Sequence, residues 1–355
     1  MRIRRALKAL LQWTAIIAAS ALCAFALWIG GLALFKPPRL SDPPPSVVQA
    51  DAKRGYVMRP NVDVDLSTSG NMPVAFVTDG AGLRVERRGQ DVMAAELLFI
   101  GDSQTFSAGV PYAETFPALV GVSLGLSVAN AGVGGYGPVS MLRQMQAFAY
   151  LKPRIVVFGH YYDHLDRAVS PCNPGTTYPC IGVPYIRATA DRMDIVEPPD
   201  NEAVFALERR FRGYAAGKDG FSFADDVFWT ARAFIGEIYF TRWGRRAVAP
   251  ADAPRLAEFL YRRIAETARG MNARLLVLYI PDYFGEGRRI VPPSAFLKAA
   301  VELEGAAFVD PTPDLQDMKT RGGLNAIMIP NDGHLNAAAH LAVATRLIEA
   351  IKRAN

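Results

Sequence analysis

The chain has 355 residues, of which 50% are hydrophobic and three are cysteine. A composition this apolar excludes a disordered or collagen-like chain, and three cysteines are too few for a disulfide-rich scaffold. The formal charge is +5, and Arg2, Arg4, Arg5 and Lys8 supply most of it because no acidic residue precedes Asp42. The rest of the chain is close to neutral, so its charge gives no reason to expect nucleic acid as a partner.

An uncharged segment at residues 9–35 follows these basic residues. As a helix with a rise of ~1.5 Å per residue it would be about 40 Å long, enough to cross a ~30 Å hydrocarbon core. The positive-inside rule then predicts a cytoplasmic basic tail at 1–8, a single-pass anchor at 9–35 in the inner (cytoplasmic) membrane, and a periplasmic remainder. A cleaved signal peptide is the alternative, although its apolar region is normally only ~7–15 residues long.

The segment at residues 36–54 is rich in proline and is predicted to be a semi-rigid stalk, which leaves residues 55–355 as the folded domain. An insertion is expected at about 165–250, where the strand–helix pattern is lost and aromatic residues are frequent. These aromatic side chains either pack a small core of the insertion or form a wall that binds sugar or lipid. Cys172 and Cys180 lie in a Pro/Gly-rich loop of this insertion and are expected to form a disulfide in an oxidising compartment, with two free thiols as the alternative.

Short apolar runs alternate with helix-like segments in the remainder of the domain. Strands are predicted at 96–100, 126–130, 154–159, 274–280 and 306–310, and a strand-like run at 327–329. Helical periodicity is found at 115–120, 139–150, 253–271 and 335–354. This alternation predicts an α/β domain with a parallel sheet covered on both faces, and a ligand site beyond the carboxyl ends of the strands.

Two segments at such strand ends carry residues suited to nucleophilic catalysis. Ser103 directly follows the strand at 96–100, and Asp332 and His334 lie within one turn after 327–329. A serine is a weak nucleophile until a base removes its proton, and a histidine oriented by a carboxylate is such a base. No further Cys or paired His lies near the cysteine loop, so no metal site is expected there.

Three blocks of the sequence resemble those of the SGNH/GDSL hydrolase family, and the flanking segments VTDGAGLRVE and PYAETFPALV resemble its membrane-anchored bacterial members. The blocks are Ile100-Gly101-Asp102-Ser103, the glycine-rich segment 130–137, and Asp332-Gly333-His334-Leu335-Asn336. The resemblance covers roughly residues 55–350 without the insertion. It implies a flavodoxin-like three-layer α/β/α fold with a parallel sheet.

The resemblance also assigns roles to individual residues. Ser103 would be the nucleophile, His334 the base and Asp332 the acid, and the N–H groups of Ser103 and Gly135 would bind the oxyanion. The family has an asparagine as a further oxyanion donor, and the ungapped match puts Asp163 at that position. An ionised carboxylate only accepts hydrogen bonds. Either a protonated Asp163, His164 or His160 donates instead, or the oxyanion hole has its two backbone donors only, so Asp163 indicates altered or weak chemistry.

Three further residues are expected near the site: Asp102, which we interpret as fixing the turn, and the histidines His160 and His164. His340 lies within the last helix and is predicted to be a packing or a surface residue rather than a catalytic one. Many family members have the acid three residues before the histidine, which is Asn331 here, so the choice of Asp332 rests on related O-acetyltransferases that use Asp-x-His.

The sequence therefore predicts an outward-facing serine ester hydrolase or O-acyltransferase without a cofactor. By analogy with the family that the chain resembles, its substrates would be acyl (acetyl) esters of envelope or secreted polysaccharide, and a transferase would need a membrane-embedded acyl-donor partner. The alternative is a catalytically weak module of the same fold that binds glycan or a partner protein, as Asp163 suggests.

Overall fold

The structure is a computed structural model that describes residues 12–27, 47–66, 71, 73–107, 109–171, 181–189, 191–202, 205, 246–282 and 289–353. Residues 12–27 form helix α1 within the predicted anchor. Among the helices of the described ranges, none has both the length and the apolar character needed to cross a membrane. The remaining residues of the predicted anchor lie outside the described part of the chain, so the anchor stays a prediction.

An eight-stranded sheet forms the centre of the domain, and five of its strands are parallel. The parallel strands are β6 (Leu97–Ile100), β7 (Val128–Asn130), β8 (Ile155–Tyr161), β11 (Arg274–Ile280) and β12 (Ala307–Val309). Their spatial order is β7-β6-β8-β11-β12. This is the flavodoxin-like order, in which the chain connections diverge on either side of β6 and leave a crevice at its carboxyl end. The predicted α/β class and parallel sheet are confirmed.

Helices cover both faces of the sheet. They are α2 (Ser103–Phe106), α3 (Phe116–Leu124), α4 (Pro138–Ala147), α5 (His164–Val169), α6 (Ala253–Gly270), α7 (Ala295–Leu303), α8 (Thr312–Gly322) and α9 (Ala337–Arg353). One buried apolar cluster contains side chains of α4, α6 and α7, and a second contains side chains of α3, α8 and α9. Alternate residues of β6 and β8 contribute to the two clusters, as expected for strands buried on both faces.

The edge of the sheet beyond β7 was not predicted. Strands β3 (Asp63–Leu66), β4 (Val74–Thr78) and β5 (Arg84–Val85) extend it with antiparallel pairing. A separate hairpin of β1 (Val48–Asp51) and β2 (Gly55–Met58) packs on the first cluster. Strand β1 lies within the range predicted as stalk, so the folded part of the chain begins by residue 48.

The strand-like run at 327–329 is not a strand of the sheet. It makes one isolated bridge, between Met328 and Leu335, and Ile329 N–H donates to the carbonyl of His334 at 3.0 Å. The run thus forms one side of a tight turn, in which Asn331 has a positive φ of 57°. All three apolar side chains are buried, and those of Ile327 and Met328 belong to the second cluster, which explains the strand-like pattern.

The described part of the insertion contains helix α5 and a hairpin of β9 (Tyr185–Ala188) and β10 (Met193–Val196). Phe205 is buried in the first cluster, which agrees with packing for this one aromatic residue. Cys172 and Cys180, and the other aromatic residues from 211 to 243, lie outside the described residues. The predicted disulfide and the predicted binding wall therefore stay predictions.

Candidate active site

Ser103 lies at the carboxyl end of β6, where the chain connections diverge. It is the first residue of α2 and directly follows β6, with β7 and β8 on either side. The side chain of Asp102 caps α2 by accepting a hydrogen bond from Gln104 N–H at 3.0 Å, so the chain turns sharply out of the sheet. Ser103 is half-buried, and its N–H donates no hydrogen bond within the described part of the chain. A substrate entering the crevice would meet both its hydroxyl and its N–H.

Asp332 and His334 form a hydrogen-bonded pair in the turn before α9. Nδ1 of His334 bonds to Oδ1 of Asp332. The Asp332 side chain is 7% exposed while that of His334 is 27% exposed, so the imidazole reaches the surface and the carboxylate supports it from beneath. Asn331, the alternative acid position, is exposed. The pair has the orientation that a carboxylate gives to a catalytic base.

Gln104 connects the Ser103 turn to the His334 turn. Its buried side chain donates from Nε2 to the carbonyl of Gly333 at 2.8 Å and accepts from Leu335 N–H through Oε1 at 3.2 Å. These two hydrogen bonds hold the residues on either side of His334. The residue after the candidate nucleophile thus fixes the backbone that carries the candidate base.

The glycine-rich loop after β7 packs directly on the Ser103 turn. Val133 N–H donates to Gly101 O at 3.1 Å, and a Cβ added at Gly134 would lie 3.9 Å from that of Ser103. At Gly132 an added Cβ would lie 2.5 Å from Phe106 N, so only glycine permits this approach. The N–H of Gly135, like that of Ser103, donates no hydrogen bond within the described ranges.

Two tyrosines support the glycine loop from the N-terminal hairpin side. The hydroxyl of Tyr56 donates to Gly134 O at 2.7 Å, and the hydroxyl of Tyr136 donates to Tyr56 O. Their rings meet edge to face with centroids 5.2 Å apart. The hairpin of β1 and β2 thereby helps to fix the loop that carries Gly135.

Asp163 forms an ion pair with Arg167, four residues later on α5. Oδ1 of Asp163 lies 2.9 Å from Nε of Arg167. Nη1 of the same guanidinium lies 3.1 Å from Oδ2 of Asp102 and donates to Tyr136 O at 3.3 Å. Arg167 therefore contacts all three segments of the site: the nucleophile turn, the glycine loop and the segment of Asp163.

His164 and His160 lie beneath the nucleophile turn. Nδ1 of His164 accepts a hydrogen bond from Tyr161 N–H at 3.0 Å, which leaves Nε2 to carry the proton, 3.4 Å from Oδ2 of Asp102. Burial would raise the pKa of Asp102, but the hydrogen bond from His164 and the charge of Arg167 lower this pKa to about 2. His160 bonds through Nδ1 to the hydroxyl of Tyr261 at 2.6 Å, and burial holds its pKa well below the usual value.

His340 is a buried packing residue. It is 1% exposed, its ring stacks on Phe116, and its Nδ1 accepts from Phe116 N–H at 3.2 Å. Burial lowers its pKa to about 3, so it is neutral at ordinary pH. Among the described residues, no group of three or more His, Cys, Asp or Glu side chains is arranged to hold a metal ion.

Sequence reasoning missed Gln104, Arg167 and Tyr56. For Gln104 the available signal was its position directly after Ser103, and for Arg167 its spacing of four residues from Asp163 on a helix. Tyr56 gave no signal, because its contact with Gly134 spans 78 residues of sequence.

No family model and no curated protein matches the chain. Among solved structures, the crystal structure of TesA is 16% identical over 72% of this chain and 98% of its own, with a TM-score of 0.36. A protein of the G-D-S-L lipolytic family from Desulfitobacterium hafniense is 12% identical over 71% of this chain and 97% of its own, with a TM-score of 0.33. A carbohydrate esterase family 2 enzyme from Corynascus is 14% identical over 82% of this chain and 86% of its own, with a TM-score of 0.35. Likenesses this weak leave the chemistry of the site to rest on its own residues.

Proposed function

We propose that this protein is a serine ester hydrolase or O-acyltransferase with Ser103 as nucleophile, His334 as base and Asp332 as the orienting acid. The observation that carries the proposal is the Gln104 side chain, which bonds to the residues on both sides of His334 while Ser103 is its chain neighbour. The hydrogen bond from His334 Nδ1 to Asp332 leaves Nε2 to receive a proton. The resemblance of the three sequence blocks to SGNH/GDSL hydrolases supports the same assignment.

The reaction would begin when Ser103 Oγ attacks the carbonyl carbon of an acyl ester and passes its proton to Nε2 of His334. Asp332 would stabilise the imidazolium through Nδ1 without taking the proton itself. The N–H groups of Ser103 and Gly135, which donate no hydrogen bond to the residues that the structure describes, would donate to the oxyanion of the tetrahedral intermediate. His334 would then protonate the leaving alcohol, and an acyl-enzyme would remain on Ser103.

The acceptor of the acyl group decides between the two activities. Attack by water, deprotonated by His334, would give a carboxylic acid and an esterase, whereas attack by a sugar hydroxyl would give a transferase. We propose acetyl esters of envelope or secreted glycans as substrates, because the N-terminal sequence predicts an anchored, outward-facing domain. An O-acyltransferase of this kind would also require an acyl-donor partner in the membrane.

A fluorophosphonate probe tests the nucleophile. The full-length wild-type protein is expected to be labelled and to hydrolyse p-nitrophenyl acetate, and Ser103→Ala is expected to abolish both. Ser127→Ala is a matched control because Ser127 precedes β7 and so lies at the amino ends of the parallel strands, whereas Ser103 lies at their carboxyl ends. Wild-type protein that is folded yet neither labelled nor active would refute the proposal.

The predicted topology is tested separately on the full chain with a C-terminal tag. We expect the tag to sediment with inner membranes after carbonate extraction and to be digested by protease in spheroplasts. A protected tag would place the domain in the cytoplasm and would remove the argument for envelope glycans.

Asp163 is the observation that favours the second candidate, a weakly active or inactive module that binds glycan or a protein. A carboxylate at this position cannot donate to an oxyanion. Labelling by the probe together with turnover would refute this alternative. Binding of acetylated glycan by unlabelled protein would support it.

A further inference from the structure

We propose that Arg167 is a positioning residue of this site and that its charge compensates the two carboxylates it contacts, Asp163 and the Asp102 that precedes Ser103. The inference rests on the proposed ester chemistry and deepens it. It starts from the ion pair of Asp163 with Arg167 and from the contacts of that guanidinium with the other two segments of the site.

The guanidinium is placed where it can act on the site geometry. It is 14% exposed, its Nε lies 2.9 Å from the Asp163 carboxylate, and its Nη1 donates to the Asp102 carboxylate and to Tyr136 O. An added Cβ at Gly137 would lie 3.0 Å from Cβ of Arg167, so the stem of the arginine packs directly under the end of the glycine loop. Movement of Arg167 would therefore move the nucleophile turn and the glycine loop relative to each other.

The charge balance around Ser103 depends on the same residue. The side chains of Asp102 and Asp163 are 2% and 13% exposed, and the structure gives both a contact with Arg167. Without Arg167, the poorly solvated carboxylates of Asp102 and Asp163 would lose the cation that both contact. The negative charge left in the segments around Ser103 would oppose the formation of an oxyanion there.

This account predicts that the two residues are coupled in catalysis. Arg167→Gln is expected to lower kcat by about 10²-fold, the effect of misplacing a catalytic group by ~1 Å, with a smaller change in KM. Asp163→Asn alone is expected to change kcat/KM by less than about threefold, because Arg167 still contacts Asp102 and compensates its charge. The double variant Asp163→Asn with Arg167→Gln is expected to have a kcat at least about tenfold higher than that of Arg167→Gln alone. The reason is that it removes an uncompensated carboxylate.

The experiment is a double-mutant cycle on p-nitrophenyl acetate hydrolysis, with urea unfolding of each variant. The same substitutions at a second ion pair, Arg346→Gln with Asp314→Asn, are the matched control, because this pair joins α9 and α8 away from the site. These control variants are expected to leave kcat/KM unchanged. If Arg167→Gln does not fold, Arg167→Lys retains the charge and is expected to lose less kcat than any neutral substitution that folds.

The outcomes separate the inference from the proposed function. A labelled, active wild-type enzyme in which Asp163→Asn gives no recovery beside Arg167→Gln would refute the charge role of Arg167 and leave the serine chemistry intact. Equal losses of kcat for Arg167→Lys and Arg167→Gln would also refute it. A wild-type protein without labelling or turnover would refute the proposed function and with it any role of Arg167 in catalysis.

Discussion

Replacing Gln104 by alanine should separate the candidate base from the candidate nucleophile. The substitution removes the 2.8 Å bond to Gly333 O and the 3.2 Å bond from Leu335 N–H. Losing the bond to Gly333 O costs a net ~1 kcal/mol, and leaving the buried Leu335 N–H without this partner costs ~1–3 kcal/mol. Leu335 is 0% exposed, so its N–H would have little access to water. We therefore expect Gln104→Ala to lower the free energy of unfolding by about 2–4 kcal/mol.

The same change should affect catalysis beyond its effect on stability. A shift of ~1 Å in a positioned catalytic group can cost about 10²-fold in rate, and Gln104 holds the backbone on both sides of His334. We expect kcat/KM for p-nitrophenyl acetate to fall by about this factor under conditions where the variant is fully folded. Urea unfolding and steady-state kinetics on the same preparation measure the two effects separately.

Gln316→Ala is the control for Gln104→Ala. Its side chain also makes two hydrogen bonds, accepting from Ile290 N–H at 2.7 Å and donating to Thr320 at 3.0 Å, but it lies on α8. Gln316→Ala should lower the free energy of unfolding and leave kcat/KM unchanged. Loss of stability without loss of activity in Gln104→Ala would refute the role of Gln104 in holding His334.

Three further predictions concern the acid, the glycine loop and a buried histidine. Asp332→Asn should lower kcat about 10²- to 10⁴-fold with little change in KM, and unchanged kcat would show that Asp332 does not orient the base. Gly132→Ala should reduce both stability and kcat/KM, because the new Cβ would lie 2.5 Å from Phe106 N. Gly270→Ala is the control: the space around Gly270 is open, so stability and kcat/KM should not fall. His340 has a pKa of about 3 in the folded state, below its unfolded value, so its contribution to stability is present above about pH 6.5 and is lost as the pH falls toward 3. His340→Gln should lower the slope of unfolding free energy against pH between 6.5 and 4.5 by up to about 1.4 kcal/mol per pH unit, and an unchanged slope would mean that His340 titrates normally.

The strands that carry the site were predictable because they are buried on both faces. Strand β8 is uniformly buried, which matches the uninterrupted apolar run seen in the sequence. The antiparallel strands β3 to β5 were missed because they are short, and in β3 exposed residues alternate with half-buried ones. Such a pattern differs little from that of a polar loop.

The residues that hold the site together could not be predicted in the same way. Gln104 and Gly333 are 229 positions apart, and Arg167 and Asp102 are 65 apart, so no local periodicity relates them. Sequence motifs marked the ends of the strands where chemistry was expected. The side chains that join those ends depend on the topology of the sheet, which brings β6, β7 and β8 side by side.

A crystal structure of the full chain after reaction with a fluorophosphonate tests the central claim most directly. The account predicts phosphorus bonded to Ser103 Oγ, with its free oxygen within hydrogen-bond distance of the N–H groups of Ser103 and Gly135. Nε2 of His334 should lie within about 3.5 Å of Ser103 Oγ, close to the range that a base needs for proton transfer. An adduct on another residue, or a His334 imidazole turned away from Ser103, would contradict it.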